Sequence, residues 1–377
     1  MADLGFVHAV ASFGLKDHGA PIQVPAAAWP AALADVTFQK LTGLASAAAE
    51  AGALALDFDQ SDELRERHRR VMAWDLLLES RLLQLDDAFV TEAIEHVVLK
   101  GPAVARVAYP DPSWRAFADL DILVHGSDFR RACEVVASFG FRRIIPEPRR
   151  GFDERFGKAA AHRNDEGMEI DLHRTLVVGP FGLWIRPDQL FAETDWFELG
   201  GRKLRRLNDT AMFLHACLHA ALGADPPLML PVRDVAQTMA LPDLDWDAVE
   251  GLCRRWRVTA PIQRALVLAT NHLGVPLPGP ATDIEATRVP QAEVRALTSY
   301  SREGRPGGGT AVGTLRAISG LGGKAAYLAA LLVPRREFLT SRYPEGRAYG
   351  RRWMQPARWA VDRAMGRTRG LRRPGRT

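Results

Sequence analysis

The sequence predicts an α+β protein in which a small mixed sheet, within residues 96–176, is flanked by N- and C-terminal helical subdomains. Three observations predict it. Up to about residue 95 apolar residues recur at helical spacing; from 96 to 176 short apolar runs ending in glycine alternate with short helical segments; beyond 177 the helical spacing returns. The boundaries read from this are 1–95, 96–176 and 177–300, with 301–377 as a Gly/Pro-rich linker and a basic tail.

In the first part, Ala-rich "LTGLASAAAEAGALAL" is followed by a long segment from Ser61 to Glu95, where "SDEL" offers Ser61 as N-cap and acids in the first turn. In the second, "HVVLKG" reads as a strand ending in glycine and "PAVARVAY" as a helix with proline at its first position. "DLDILV" is the next strand, and "SDFRRACEVVASFG" a helix from Ser127 to a stop at Gly140. "FRRIIP" and "MEIDLHRTL" are further strand candidates. The third part carries four helical segments, beginning "NDTAMFLHACLHAAL" and "PVRDVAQTMAL", before "REGRPGGGTAVG" marks the linker.

Composition excludes several classes. At 47% hydrophobic and 25% charged, the 377 residues make an ordinary globular balance. Cys133, Cys217 and Cys253 are too few and too scattered for a disulfide framework or a zinc ribbon, which predicts a reducing cytoplasm. The N-terminal residues lack the pattern of a signal peptide. The longest apolar stretch, "AISGLGGKAAYLAALLVP", is interrupted by three glycines and Lys324, so no transmembrane segment is expected. Net charge is +4, but thirteen arginines against three acids from Arg335 onward leave residues 1–334 at −6. The tail, with Trp353 and Trp359 interleaved, is expected to lie as a helix on the acidic body; nucleic acid is not indicated.

The chemistry concentrates in carboxylates. On a strand, residues two apart share a face, so Asp119 and Asp121 project together while Leu120, Ile122 and Val124 face the core. In "MEIDLH" the same alternation sets Glu169, Asp171 and His173 on one side and Met168, Ile170 and Leu172 on the other. If these strands are neighbours, three aspartates converge. Clustered carboxylates repel, and a divalent cation with hard oxygen ligands, Mg²⁺ or Mn²⁺, holds them together. Such ions serve phosphoryl or nucleotidyl transfer. The competing account has Asp119 opening a strand at the surface and Asp121 paired with Arg115.

In this order the pieces resemble the nucleotidyltransferase superfamily that includes DNA polymerase beta: strand, glycine, helix, an aspartate pair on the next strand and an acid on a later one. More narrowly, "VVLKGPAVARVAYPDPSWRAFADLDILVHGSDFRRACEVVASFGF" resembles a bacterial family of uncharacterised nucleotidyltransferases. "EIDLHRTL", "FLHACLHAAL", "VRDVAQ" and "FLTSRYPEG" are similar to further family landmarks, over roughly residues 60–345. The resemblance implies transfer of a nucleoside monophosphate from an NTP co-substrate to a hydroxyl of an unidentified small-molecule, peptide or protein acceptor. It implies Asp119, Asp121 and Asp171 as catalytic metal ligands, Gly101 for close backbone approach to phosphate, and Lys100 and Arg115 against triphosphate charge. In one departure, Pro102 follows Gly101 where the superfamily usually has serine, and proline has no N–H to donate.

Two other readings remain open. A metal-dependent glycosyltransferase also uses D-x-D but places a whole nucleotide-binding half-domain before it, for which the short stretch between "HVVLKG" and Asp119 leaves no room. A non-catalytic nucleotide- or partner-binding module on a decayed fold draws on Pro102. His162 and His173 flank the third carboxylate and are candidate substrate contacts, with structural hydrogen bonding as the alternative. His215 and His219 are four apart on a helix, but Ala216 stands where the zinc-protease signature has Glu; packing or a substrate contact by His219 is expected instead. Asp234 is expected to cap or pair.

Overall fold

The structure is a computed structural model that describes residues 4–16, 20–300 and 308–342. It is α+β. A seven-stranded mixed sheet holds β1 (His96–Val98), β2 (Asp119–Val124), β3 (Arg142–Arg143), β4 (Ala159–Arg163), β5 (Glu169–His173), β6 (Thr194–Leu199) and β7 (Arg202–Leu207). Their spatial order is β3-β4-β5-β2-β1-β7-β6. β2 and β5 run parallel at the centre, as do β1 and β7; the other pairs are antiparallel.

The expected helical region 177–300 contains β6 and β7, which sequence reading missed. Gly200 and Gly201 join them with φ of 57° and 76°, the pair of positive values that a two-residue hairpin turn of the primed kind needs. Inward Phe197, Leu199, Leu204 and Leu207 are buried, and the pairing of β7 with β1 adds the hairpin to the sheet edge. Expected strand "FRRIIP" shrinks to the two residues of β3.

Helices cover both faces of the sheet. The longest, Phe58–Thr91, begins three residues before the expected Ser61 because Asp57 caps it: Asp57 accepts from Gln60 N at 2.9 Å and the Gln60 side chain accepts from Asp57 N at 3.0 Å. Likewise Asp128, not Ser127, precedes the helix Phe129–Ser138. Asp209–Leu222, Met229–Met239 and Thr259–Leu273 pack on one another, and the last two also pack on the N-terminal helix Leu4–Ser12. Leu120, Ile122, Leu123 and Val124 are all buried, the pattern of a strand covered on both faces rather than one. One apolar core runs continuously from Phe6 through the sheet to Ala296, so the three expected parts share a single interior.

The linker expected from 301 is a helix from Gly308 to Ala317, followed by Leu321–Leu332 and Arg336–Arg342. Ile318 and Tyr327 pack with Phe156, tying this segment to the body. The expectation for the arginine-rich tail beyond 342 lies outside the described residues. Among the described residues no helix is long and apolar enough to cross a membrane.

Candidate active site

The central strands bring the carboxylates together as alternation requires. Asp121 stands opposite Asp171 and Asp119 opposite Glu169 across β2 and β5. Adjacent parallel strands lie ~4.8 Å apart, so residues in register crowd their side chains on one face. Asp121, Asp171 and His173 each offer an atom within 4.8 Å of the other two. Asp119 lies two residues toward the strand start, outside that group, with about a quarter of its side chain exposed.

Asp121 is the hub. One carboxylate oxygen lies 2.8 Å from His173 Nε2 and the other 2.7 Å from Lys100 Nζ. Burial opposes its charge, yet Lys100 and His173 hold its carboxyl well below the usual range. Burial equally opposes the Lys100 ammonium, which Asp121 and Asp119, the latter at 3.6 Å, hold charged. His173 Nδ1 lies 3.1 Å from Thr175 O. Both ring nitrogens thus lie against oxygen atoms.

Asp171 has the opposite environment. Among the described residues its Oδ1 is buried without a partner, and burial together with the Asp121 charge pushes its carboxyl up. A buried orphan acceptor beside a second carboxylate is the feature a bound cation would satisfy. Asp121 can join it while keeping Lys100 and His173, because each carboxylate oxygen has two lone pairs.

Other expected site residues are placed differently. His162 pairs in register with Ile170, so the sheet turns it to the core face, away from Asp171; its Nδ1–H donates to Ala160 O at 3.0 Å. Burial, with Arg143 nearby, pushes it down to about 4. Arg115 is also diverted. Its Nε and Nη2 donate to the two oxygens of Asp234 at 2.8 and 2.7 Å, and Tyr109 Oη donates to the same carboxylate at 2.8 Å. Asp234 therefore pairs, as expected, but with the arginine that was expected at the triphosphate. The remaining Arg115 nitrogen reaches Gly101 O at 3.3 Å and steadies the turn after β1. Gly101 has φ 62°, which by itself calls for glycine, and Pro102 takes the first helical position of Pro102–Ala108, where the missing N–H breaks no helical bond.

The helix Asp209–Leu222 lies over this face. His215 Nδ1–H points at Leu99 O, 3.4 Å away, and burial pushes His215 down to about 3. His219, one turn on, is half-buried and pushed well below its usual range by burial and by Lys100. Both are neutral imidazoles at physiological pH. Sequence reading also missed Lys158. It lies one residue ahead of β4, is largely buried, and feels Asp121, Lys100, Asp171 and Asp119 together. The only signal was its place in "GKAAAHR", just before a strand that pairs with the third carboxylate's strand.

Residues 25–274 match a family described as uncharacterised nucleotidyltransferase. The chain belongs to that family. The match takes in every carboxylate, lysine and histidine of the site and begins earlier than the resemblance over 60–345, while "FLTSRYPEG" falls beyond it. Among solved structures, an antigenic nucleotidyltransferase-like protein from Paracoccidioides brasiliensis is similar at 14% identity and a TM-score of 0.33, over 53% of this chain and 93% of that one. Membership in the nucleotidyltransferase family rests on the sequence match and not on this likeness. No curated protein matches the sequence.

Proposed function

We propose that the protein is a divalent-metal-dependent nucleotidyltransferase that moves a nucleoside monophosphate from an NTP to an acceptor hydroxyl and releases pyrophosphate. The observation that carries this reading is the rung shared by Asp121 and Asp171, with the buried, unpartnered Asp171 Oδ1. Asp119, Asp121 and Asp171 would hold Mg²⁺ or Mn²⁺, since an all-carboxylate set suits hard cations. Bound there, the ion would supply positive charge to the transferring phosphoryl group and favour ionisation of the acceptor hydroxyl.

The protein's own groups prepare that site. His173 fixes one oxygen of Asp121 and thereby its orientation, as a partner behind a metal ligand does. Lys100 balances the carboxylates before any ligand arrives. The neutral His215 and His219 add no charge beside Lys100.

A non-catalytic nucleotide-binding module is the second reading, favoured by Pro102 and by the hold of Lys100 on Asp121. Pyrophosphate release from ATP with Mn²⁺, across a panel of hydroxyl-bearing small molecules and peptides, separates the two. Turnover is expected in the wild type and a fall to background in Asp119→Asn with its circular dichroism unchanged. Undiminished turnover in that variant sinks the assignment, and nucleotide binding without turnover in the wild type selects the module.

A further inference from the structure

The tripeptide "PRR" occurs at 148–150 and again at 334–336, far apart in the sequence and side by side in the fold. Arg335 N–H donates to Pro148 O at 2.8 Å, and Arg149 Nε–H donates to Val333 O at 2.9 Å. Arg149, Arg150, Arg335 and Arg336, with Val333 and Pro334, line an open cleft of about 500 Å³. All four arginines are exposed, and among the described residues no carboxylate lies within 4.0 Å of their guanidinium nitrogens. The arginines of β3 and β4, by contrast, are each paired with an acid: Arg142 with Asp165, Arg143 with Asp153 and Arg163 with Glu169. Like charges gathered without acids attract an anionic partner.

The helix Leu321–Leu332 leads into this cleft. Its inner side is buried through Tyr327 and Ala330. The Tyr327 ring lies 5.9 Å from that of Phe152 and 5.4 Å from that of Phe156, which ties the helix to the short helix Phe152–Arg155 just after Arg150. On the outer side Leu321, Ala325, Leu328 and Leu332 follow the spacing of one helical face, and all are exposed. Leu321 is 86% exposed, Leu332 47% and the adjoining Val333 56%. The outer face of a helix packed on a globular body ordinarily carries polar residues, and here the helix has a single charge, Lys324.

We propose that this face docks on an anionic lipid surface, with Leu321, Leu328 and Leu332 at the boundary of headgroups and acyl chains and the four arginines on the lipid phosphates. Apolar area joined to a polybasic patch supplies the two attractions that interfacial binding combines. At 12 residues the helix lies along such a surface and does not cross it. A nucleic acid would engage the arginines but leave the leucines in water, and Phe152, Phe156 and Tyr327 are turned inward, away from any base. A second copy placed by two-fold symmetry would set arginine against arginine. Beyond residue 342 the sequence adds ten arginines against Glu345 and Asp362, a charge that the cluster repels and an anionic membrane attracts.

The test is sedimentation of the full chain with vesicles of phosphatidylcholine alone or mixed with phosphatidylserine, in wild type, Leu321→Ser/Leu332→Ser and Arg149→Gln/Arg150→Gln. The wild type is expected to bind the mixed vesicles, to bind pure phosphatidylcholine weakly, and to lose affinity as salt rises. Each arginine near an anionic surface contributes roughly fivefold, so the arginine pair should bind about 25-fold more weakly. The leucine pair should lose at least about tenfold. Every substituted side chain is exposed, so both variants should keep the wild-type melting temperature. A wild type that ignores the mixed vesicles, or variants that bind them as well as the wild type does, overturns the docking face. Self-association that the leucine pair abolishes, without vesicle binding, assigns the face to a second copy and overturns it too. So does binding of a single-stranded oligonucleotide in place of vesicles that the leucine pair retains and the arginine pair loses.

Discussion

Replacing Asp171 with asparagine is expected to stabilise the metal-free protein and abolish its turnover. Asp171 and Asp121 share a rung of the sheet, with ligand atoms within 4.8 Å. At that separation two ionised carboxylates repel by about 3 kcal/mol at an effective dielectric constant near 20. His173 and Lys158 offset part of this at Asp171, leaving a net relief of roughly 1–2 kcal/mol when the charge is removed. Asparagine keeps the shape and one acceptor oxygen, so no cavity opens. The melting temperature in EDTA should therefore rise by about 1 °C for each kcal/mol of relief. Adding Mn²⁺ should reverse the order, because an ion that binds only the folded wild type stabilises it by mass action and the variant loses a ligand. Differential scanning calorimetry with and without Mn²⁺, beside a pyrophosphate assay on the same preparations, measures all three effects. A variant that melts below the wild type in EDTA refutes the charge repulsion, and one with wild-type turnover refutes the site.

Asp234→Asn is expected to cost about 3–5 kcal/mol in urea unfolding, because it leaves the Arg115 guanidinium, only 2% exposed, without its counter-charge. The paired Arg115→Met/Asp234→Leu change should cost far less than the sum of the single changes, and additivity would refute the pairing. Asp75, on the long helix, accepts from Phe117 N at 3.3 Å, and burial raises its pKa to about 7. The folded chain therefore holds a proton there that the unfolded chain releases near pH 4, so stability declines as pH rises from about 4 to about 7. Asp75→Asn removes this slope, and its advantage over the wild type should grow from nothing near pH 4 to roughly 4 kcal/mol by pH 8. Urea midpoints across that range check it; parallel profiles for the two proteins contradict it.

How far the sequence could be read depended on the range of the interactions. Period-two alternation is a property of the local backbone, and it placed Asp119 with Asp121 and Asp171 with His173 correctly. The same rule needed the register to place His162: pairing with Ile170 put it on the core face. Arg115 sat close to the aspartates in sequence, but its partner Asp234 lies 119 residues away on a later helix. The hairpin of β6 and β7 carried a Gly-Gly turn signal in "FELGGRKL" that the surrounding helical segments obscured.

The sequence by itself determined the fold class, the family and the face on which the carboxylates stand, because composition, alternation and glycine placement act through neighbouring residues. Only the tertiary structure decided which charges are free. Lys100 and Arg115 are neutralised by carboxylates, whereas among the described residues no carboxylate lies within 4.0 Å of the Lys158 ammonium. That outcome depends on which side chains exclude water from one another once strands β2, β4 and β5 and the helix Asp209–Leu222 have packed. Spacing along the chain does not encode it.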